Sequence, residues 1–332
     1  MDRWYASVNY GLENIIGQII CEMGAKDVHI MDSALVFSYG GEINCKCVKN
    51  LYYIVFEFIS SSINEAVNKI IGLKFTPPHI NGKTFRLVVM ESGKLKPIAK
   101  KVMADIEKSI SKQTRWTAHR ANPDIEIWLN RRNDKATYFM VRMGKKPSSQ
   151  KSLKKGELSP DIAYTMVNMA NLDNKSLVAD IFGGWGAISF AVAERGNYGK
   201  LYTGDIKDEC VLYQQKRLQG KKGCKVSKWD ACGLPLESGS ISVIITDPPW
   251  GIYEKGIKEG LDIKQLYDGF VGEAARILMP NGVLIFLSHA HDEAIRALSS
   301  HGFTYSAALI KINGKDTFLF KAARQNADKN YI

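Results

Sequence analysis

No stretch of this 332-residue chain stays apolar for the roughly 20 residues a bilayer-spanning helix needs, and its cleanest apolar runs have the length of buried strands. Its first residues, Met1-Asp-Arg-Trp-Tyr-Ala, lack the basic-then-apolar order of a secretory leader, so none is expected. Cysteine is sparse: six, at 21, 45, 47, 210, 224 and 232, with no Cys-x-x-Cys pair. No histidine cluster completes a zinc pattern. A disulfide scaffold and a zinc ribbon are thereby excluded, and the expectation is reduced thiols, no metal and a cytoplasmic location.

Acidic residues are in short supply in the first half alone. Residues 1–157 carry 25 Lys/Arg against 15 Asp/Glu, whereas residues 158–332 carry 20 against 19, so nearly all of the net charge of +11 lies in front. A polyanion held by the front half is the natural inference, because basic surfaces bind nucleic acid through counterion release.

The pattern of elements changes midway. In the front half, Trp4–Val8, Val28–Ile30, Ala34–Tyr39, Tyr52–Ile59, Thr84–Met90, Ile125–Asn130 and Thr137–Met143 read as strands. Helices are expected over Gly11–Ala25 and Pro97–Lys112, the second with an apolar stripe of Ile98, Val102, Ile106 and Ile110 and with Lys100 and Lys101 off it. This predicts an α+β domain of antiparallel pairs. Residues 144–157 (GKKPSSQKSLKKGE) read as a basic linker whose Lys145, Lys146, Lys154 and Lys155 either touch RNA or are simply solvated. Beyond it strands and helices alternate, with continuous apolar strands at 177–182 and 283–288 among others. That pattern predicts a doubly wound, mostly parallel sheet. Two final strands around Asn313-Gly314 predict an antiparallel edge hairpin.

In such sheets ligands bind beyond the carboxyl ends of the strands. Asp180-Ile-Phe-Gly-Gly-Trp-Gly-Ala187 is a strand-end glycine loop, but its spacing is not that of dinucleotide enzymes and no Lys-Ser/Thr follows to make a phosphate loop. Asp205 closes the next strand, where a carboxylate suits ribose hydroxyls, and Asp230 could accept a hydrogen bond from an adenine amine. Each acid alone reads as a solvated loop residue; together, at successive strand ends, they outline a nucleoside site. The most specific feature is Asp247-Pro248-Pro249-Trp250 after an apolar strand. The two prolines stiffen the turn and bring no N–H donors, leaving acceptors. Asp247 and the Pro248 carbonyl suit the two hydrogens of an exocyclic base amine, and Trp250 suits stacking on an extruded base. Such chemistry needs positioning and electrostatics rather than a covalent nucleophile or metal.

These residues carry a resemblance. From about Leu158 to Ala322 the chain resembles class I methyltransferases, and the front half resembles a THUMP RNA-binding domain joined to a ferredoxin-like segment through Trp4-Tyr-Ala, Gly11-Leu-Glu, Thr84-Phe-Arg and Asn122-Pro-Asp. Almost the whole chain is similar to the THUMP-containing tRNA (guanine-N2) methyltransferases. The resemblance implies a ferredoxin-like segment over 1–60, a THUMP domain over 61–143, the linker over 144–157 and a methyltransferase domain over 158–325. It implies S-adenosylmethionine held by Asp180, Phe182, Gly184, Gly186, Asp205, Ile206, Asp230 and Ala231, with Asp247, Pro248, Pro249 and Trp250 at the reacting amine. It also implies tRNA as substrate and, as in some relatives, a small activating protein subunit. Candidate RNA contacts are Lys100, Lys101, the linker lysines, and Arg131 and Arg132, which read equally well as a hairpin turn.

The chain departs from the family's usual Asp-Pro-Phe-Cys-Gly-Ser-Gly-Thr loop at Ile181, Gly183, Trp185 and Ala187. Trp250 after the prolines also occurs in N6-adenine enzymes, so adenine and other RNAs (ribosomal or small nuclear) stay open. The THUMP arrangement and the motif order favour guanine. A non-catalytic RNA-binding protein with a degenerate methyltransferase domain is the reading that Trp185 supports. His289 and His291 are expected to be an ordinary strand-end pair, and Tyr253–Gly260 either a lid or a solvated loop.

Overall fold

The computed structural model describes residues 1–74, 76, 80, 82–144, 153–250 and 262–324. Two compact units are present. The first comprises Met1–Val8, Ile20–Asn44 and Val48–Lys146; the second comprises Asn9–Ile19, Cys45–Cys47 and Pro147–Ile332. No helix among the described residues is long and apolar enough to cross a membrane.

The first unit is built on a nine-stranded sheet. Its strands are β1 (Asp2–Ser7), β2 (Lys26–Met31), β3 (Ala34–Tyr39), β4 (Asn50–Ile59), β5 (Thr84–Glu91), β6 (Lys94–Leu95), β7 (Thr117–Ala118), β8 (Ile125–Arg131) and β9 (Ala136–Met143). They run in the order β2-β3-β1-β4-β9-β8-β5-β6, with β7 beside β5. The helices are α1 (Glu13–Glu22), whose residues are divided between the two units, α2 (Ile63–Ile71) and α3 (Lys100–Thr114). Phe85, Leu87 and Val89 of β5 alternate inward with Ile125, Ile127 and Leu129 of β8. They pack on Ile63, Val67 and Ile70 of α2 and on Ile106 and Ile110 of α3.

Two features differ from the sequence reading. Strand β5 pairs with β8 in parallel, because α3 carries the chain across the sheet between them, whereas antiparallel pairs were expected. Helix α2 was not anticipated, although Ser62 caps it: the Glu65 amide donates to Ser62 Oγ at 3.2 Å, and the Ser61 amide just before the cap donates to the Glu65 carboxylate at 2.7 Å. The sheet also continues across residue 60, since β4 pairs with β9 from Leu51 to Ile59.

The second unit is a seven-stranded sheet. In chain order it contains α4 (Pro160–Met169), β10 (Leu177–Asp180), α5 (Ala187–Arg195), β11 (Lys200–Asp205), α6 (Asp208–Arg217), β12 (Cys224–Lys228), β13 (Ile241–Thr246), α7 (Ile263–Ile277), β14 (Leu278–Ser288), α8 (His291–Ser300), β15 (Phe303–Ile312) and β16 (Lys315–Arg324). The strand order is β12-β11-β10-β13-β14-β16-β15. Neighbours from β12 to β14 are parallel, and β16 runs antiparallel between β14 and β15, giving the expected doubly wound sheet with an antiparallel edge. The β15–β16 turn has positive φ at both Asn313 (51°) and Gly314 (79°), as a type I′ hairpin requires. Pro280-Asn281-Gly282 is an irregularity inside β14. Residues 9–11 complete this unit: the Lys311 amide donates to the Tyr10 carbonyl at 3.0 Å, and a side chain at Gly11 would strike the Leu309 carbonyl. Because β10 lies between β11 and β13, strand order reverses between β10 and β13, which is where a doubly wound sheet opens a crevice at its carboxyl edge.

Candidate active site

The glycine loop leaves β10 at that crevice and is held by hydrogen bonds rather than by its own sequence. The Gly183 amide donates to the Gly204 carbonyl (2.8 Å), the Gly184 amide to Asp205 Oδ2 (2.9 Å), and the Gly186 amide to the Gly183 carbonyl (2.7 Å). Gly184 and Gly186 have φ of 48° and 76°, a region that favours glycine. A Cβ at Gly183 would lie 2.6–2.7 Å from Gln214 and Thr203, so the loop packs against α6 and β11 without room for a side chain.

Asp180 is the buried centre of this arrangement. Its Oδ2 lies 2.7 Å from Ser189 Oγ, and Thr246 donates to its Oδ1 at 3.1 Å. Ser189 Oγ is 2.7 Å from Thr203 Oγ1, Thr203 donates to Gln214 Oε1 at 2.7 Å, and Gln214 Nε2 donates to the Gly184 carbonyl at 3.0 Å. Burial pushes the Asp180 carboxyl up to about 7, against its hydroxyl partners and with nearby Asp205 adding to the rise. Its contacts are therefore with the protein: Asp180 braces the loop from beneath.

Asp205 and Asp230 face outward by contrast. Each oxygen of Asp205 takes one backbone N–H, from Gly184 and from Lys207 (3.0 Å), and a carboxylate with two such bonds keeps acceptor capacity. The next residue, Ile206, is 60% exposed. Asp230 is exposed and bonded to the Cys232 amide at 2.9 Å, while Ala231 is buried. Phe182 packs edge-on against Phe270 of α7, with ring centroids 5.4 Å apart. Its amide donates to Thr246 Oγ1 at 2.9 Å. The Thr246 hydroxyl thus joins the glycine loop to the turn that follows β13.

That turn is Asp247-Pro248-Pro249-Trp250. The Trp250 indole N–H donates to Asp247 Oδ1 at 2.9 Å, closing it. Pro248 is buried, and Pro249 and Trp250 are half-buried. The Trp250 ring meets the imidazole of His289 edge-on at 4.3 Å between centroids. The two histidines of the expected strand-end pair have different neighbours, His291 lying 4.0 Å from the Phe318 ring.

One further residue escaped sequence reasoning. Buried Trp229 donates its indole N–H to the Ile181 carbonyl at 3.1 Å, and a Cβ on Gly204 would sit 2.8 Å from its ring, so it props β10 and β11 from one side. No motif marks it. Trp185, the bulkiest departure in the glycine loop, turns to the linker end. Its indole N–H donates to the Lys155 carbonyl at 3.1 Å, its ring meets Tyr213 edge-on at 5.4 Å, and the Lys154 ammonium lies 5.6 Å over it. Arg217 adds a link by donating to the Trp185 carbonyl at 2.8 Å and pairing with Glu157 at 2.5 Å.

Of the expected RNA contacts, Lys100 and Lys101 are exposed at the start of α3. Lys154 and Lys155 are exposed but engaged with Trp185 as described. Arg131 and Arg132, both partly exposed, make hydrogen bonds within the protein. Arg131 donates to the Ser60 and Ser61 carbonyls (3.1 and 2.8 Å), and Arg132 to Tyr5 Oη and the Asp32 carbonyl (3.0 and 2.8 Å). The hairpin turn of the alternative reading lies at 132–135. Lys145, Lys146 and the candidate lid over 253–260 lie outside the described residues. Among the described residues no cluster of His, Cys, Asp or Glu could hold a metal ion.

Comparison with known proteins places the geometry in context. The sequence model of the family described as UPF0020, RMKL-like, methyltransferase domain, matches residues 147–315. The U6 snRNA (guanine-N(2))-methyltransferase THUMPD2 of Bos taurus is 27% identical over 193 residues, 57% of this chain and 37% of that protein. The tRNA (guanine(6)-N2)-methyltransferase of Thermus thermophilus is 27% identical over 172 residues, half of each chain. The crystal structure of TrmN from Thermus thermophilus superimposes with a TM-score of 0.81 at 17% identity, covering 98% of this chain and 100% of that one. This chain thus spans from about a third to half of the length of these two sequence relatives in its matched part. The fold of the second unit is that of class I methyltransferases.

Proposed function

Because the chain belongs to the UPF0020, RMKL-like, methyltransferase domain family, we propose that it is an S-adenosylmethionine-dependent RNA methyltransferase acting on the exocyclic N2 amine of guanosine in tRNA. The carrying observation is the Asp247–Trp250 turn, closed by its own hydrogen bond and joined to the glycine loop through Thr246. Relatives named as guanine-N2 methyltransferases of tRNA and of U6 snRNA support the acceptor atom.

The residues present fit the cofactor. Gly184 has no heavy atom nearer than 4.0 Å to a hypothetical Cβ, so the loop backbone is open to close approach. Asp205 retains acceptor capacity for ribose hydroxyls, exposed Ile206 offers an apolar surface to a purine, and exposed Asp230 offers an acceptor to its amine. Gly186 shapes the loop, and Asp180 braces it. When bound, S-adenosylmethionine supplies an electrophilic methyl group on sulfur. The Asp247 carboxylate and the Pro248 carbonyl accept the two amine hydrogens and aim the nitrogen lone pair outward. Pro249 keeps competing N–H donors away, and Trp250 stacks on the extruded base. As the nitrogen–carbon bond formed and the sulfur–carbon bond broke, the amine would gain positive charge, which Asp247 would stabilise electrostatically until one amine proton left to solvent.

Residues 1–60, as a ferredoxin-like segment, and residues 61–143, as a THUMP segment, would grip the RNA through the basic surface of the front half, Lys100 and Lys101 included, in a reducing, cytoplasmic setting. The test is incubation of the protein with S-adenosylmethionine and unmodified tRNA, with U6 snRNA and ribosomal RNA in parallel, followed by nucleoside mass spectrometry. N2-methylguanosine that vanishes in Asp247→Ala, with cofactor affinity intact, supports the reading. N6-methyladenosine would replace the base. Failure to bind the cofactor would leave an RNA-binding protein. Cofactor binding without turnover would direct the search to the small activating subunit.

A further inference from the structure

We infer that His289 is a positioning residue for the methyl-transfer site: its imidazole fixes the Trp250 indole, and so sets the plane on which the substrate base stacks. This rests on the methyltransferase reading above.

Strands β13 and β14 run side by side in parallel, with Thr246 opposite Phe286. The chain therefore brings His289, three residues past Phe286, to the same edge of the sheet as the turn after Thr246. There the two rings meet at 4.3 Å between centroids and 63° between planes. The hydrogen bond from the Trp250 indole N–H to Asp247 (2.9 Å) fixes one point of that ring. A ring held at one point can still pivot about it. The edge contact with His289 blocks that pivot.

His289 is itself anchored from a third strand. Its Nε2 lies 3.2 Å from Thr317 Oγ1, a fully buried side chain on β16. Asp316, also on β16, offers its backbone carbonyl to the imidazole. Trp250 is thus held through two strand ends beyond its own, β14 directly and β16 through the imidazole. Burial lowers the affinity of His289 for a second proton, against the opposing pull of Asp316, so the ring that touches Trp250 is the neutral one. His291 takes no part, since it packs on Phe318 and bonds to Asp292.

The test compares His289→Ala, His289→Phe and Thr317→Val with wild type. The readouts are kcat, the KM for RNA, the affinity for S-adenosylmethionine, and the NMR resonance of the Trp250 indole N–H, identified by its loss in Trp250→Phe. Displacing a stacking surface costs orders of magnitude in rate when it misaligns reacting atoms. His289→Ala should therefore lower kcat at least about tenfold, leave cofactor affinity unchanged and shift the indole resonance as the imidazole ring current is removed. His289→Phe, which keeps an aromatic edge, should recover most of the loss. Thr317→Val should fall between the two. Unchanged kcat in His289→Ala, an unmoved indole resonance, or a His289→Phe variant as slow as His289→Ala would each overturn the inference. A chain that binds no cofactor and methylates no RNA would refute the functional reading alone; the resonance would still report whether His289 holds Trp250.

Discussion

The hydrogen bonds around Asp180 call for one more proton than the neighbouring hydroxyls supply. Asp180, Ser189, Thr203 and Gln214 Oε1 are linked by three contacts of 2.7 Å each. Each contact needs a proton, and Ser189 and Thr203 own one apiece. Gln214 cannot supply the third by flipping its amide, because its Nε2 donates to the Gly184 carbonyl at 3.0 Å. A carboxylate brings no proton; a carboxylic acid brings the missing one. Neutral Asp180 then starts a one-way chain through Ser189, Thr203 and Gln214 to the glycine loop, in agreement with the burial that raises its pKa to about 7.

Asp180→Asn replaces the acid with an uncharged group whose Nδ2 can donate where the acid did, and whose oxygen still accepts from Thr246. The folded-state pKa of the wild-type acid lies above its ordinary 3.8. Its stabilising effect is therefore complete below that ordinary value and is lost as pH rises through about 7. Each pH unit in that window is worth about 1.4 kcal/mol, so ionising Asp180 costs on the order of 4 kcal/mol before local relaxation. Urea unfolding of both proteins from about pH 5 to about pH 8 isolates this group, because every other titration is shared. The variant should gain on wild type as pH rises and level off above about pH 7. Parallel stability curves, or a wild type that gains on the variant with rising pH, would refute the neutral-acid chain.

Other substitutions test neighbouring parts. Gly183→Ala should lose about 1–3 kcal/mol by thermal or denaturant unfolding and weaken cofactor binding, since its methyl group would press into Gln214 and Thr203. Trp185→Ser should free the segment at 154–157, so trypsin should cut after Lys154 and Lys155 faster while the rest of the chain resists; unchanged cleavage would mean the segment is held by the Arg217–Glu157 pair alone. The double change Lys100→Ala, Lys101→Ala should weaken RNA binding equally for all sequences and flatten its salt dependence by about one to two charges in a log–log plot; an unchanged slope would remove the start of α3 from the RNA surface.

The parts of the site legible in the sequence were those whose physics is local. An apolar strand closed by an acid, a glycine loop, and two prolines before an aromatic residue each state their backbone geometry within a few residues. The Asn313-Gly314 hairpin is of the same kind. What stayed hidden depends on partners distant in sequence. His289 matters through Trp250 and Thr317, and Trp229 through Gly204 and the Ile181 carbonyl. Strand β12 was missed because CKVSK at a sheet edge carries too little apolar alternation to stand out. The carbonyls that accept from Arg131 and Arg132 were hidden in the same way, because charge is visible in a sequence and its partners are not.

The departures from the family's glycine loop become intelligible on the same terms. Where relatives place a cysteine, Gly183 leaves space that the Gln214 side chain fills, and Gln214 in turn carries the hydrogen-bond chain to the Gly184 carbonyl. Where relatives place a serine, Trp185 extends away to hold the linker end. Neither change removes a backbone N–H from the loop, and neither disturbs the bond from the Gly184 amide to Asp205. The loop is therefore altered in what supports it rather than in the backbone it offers a ligand. The glycine loop also keeps its joint to the Asp247–Trp250 turn. Here the joint is intact: Thr246 bonds Phe182 and Asp180 on one side, and the chain passes directly into Asp247 on the other. On the proposed reading, transfer to an amine that needs alignment more than activation would depend on that connection.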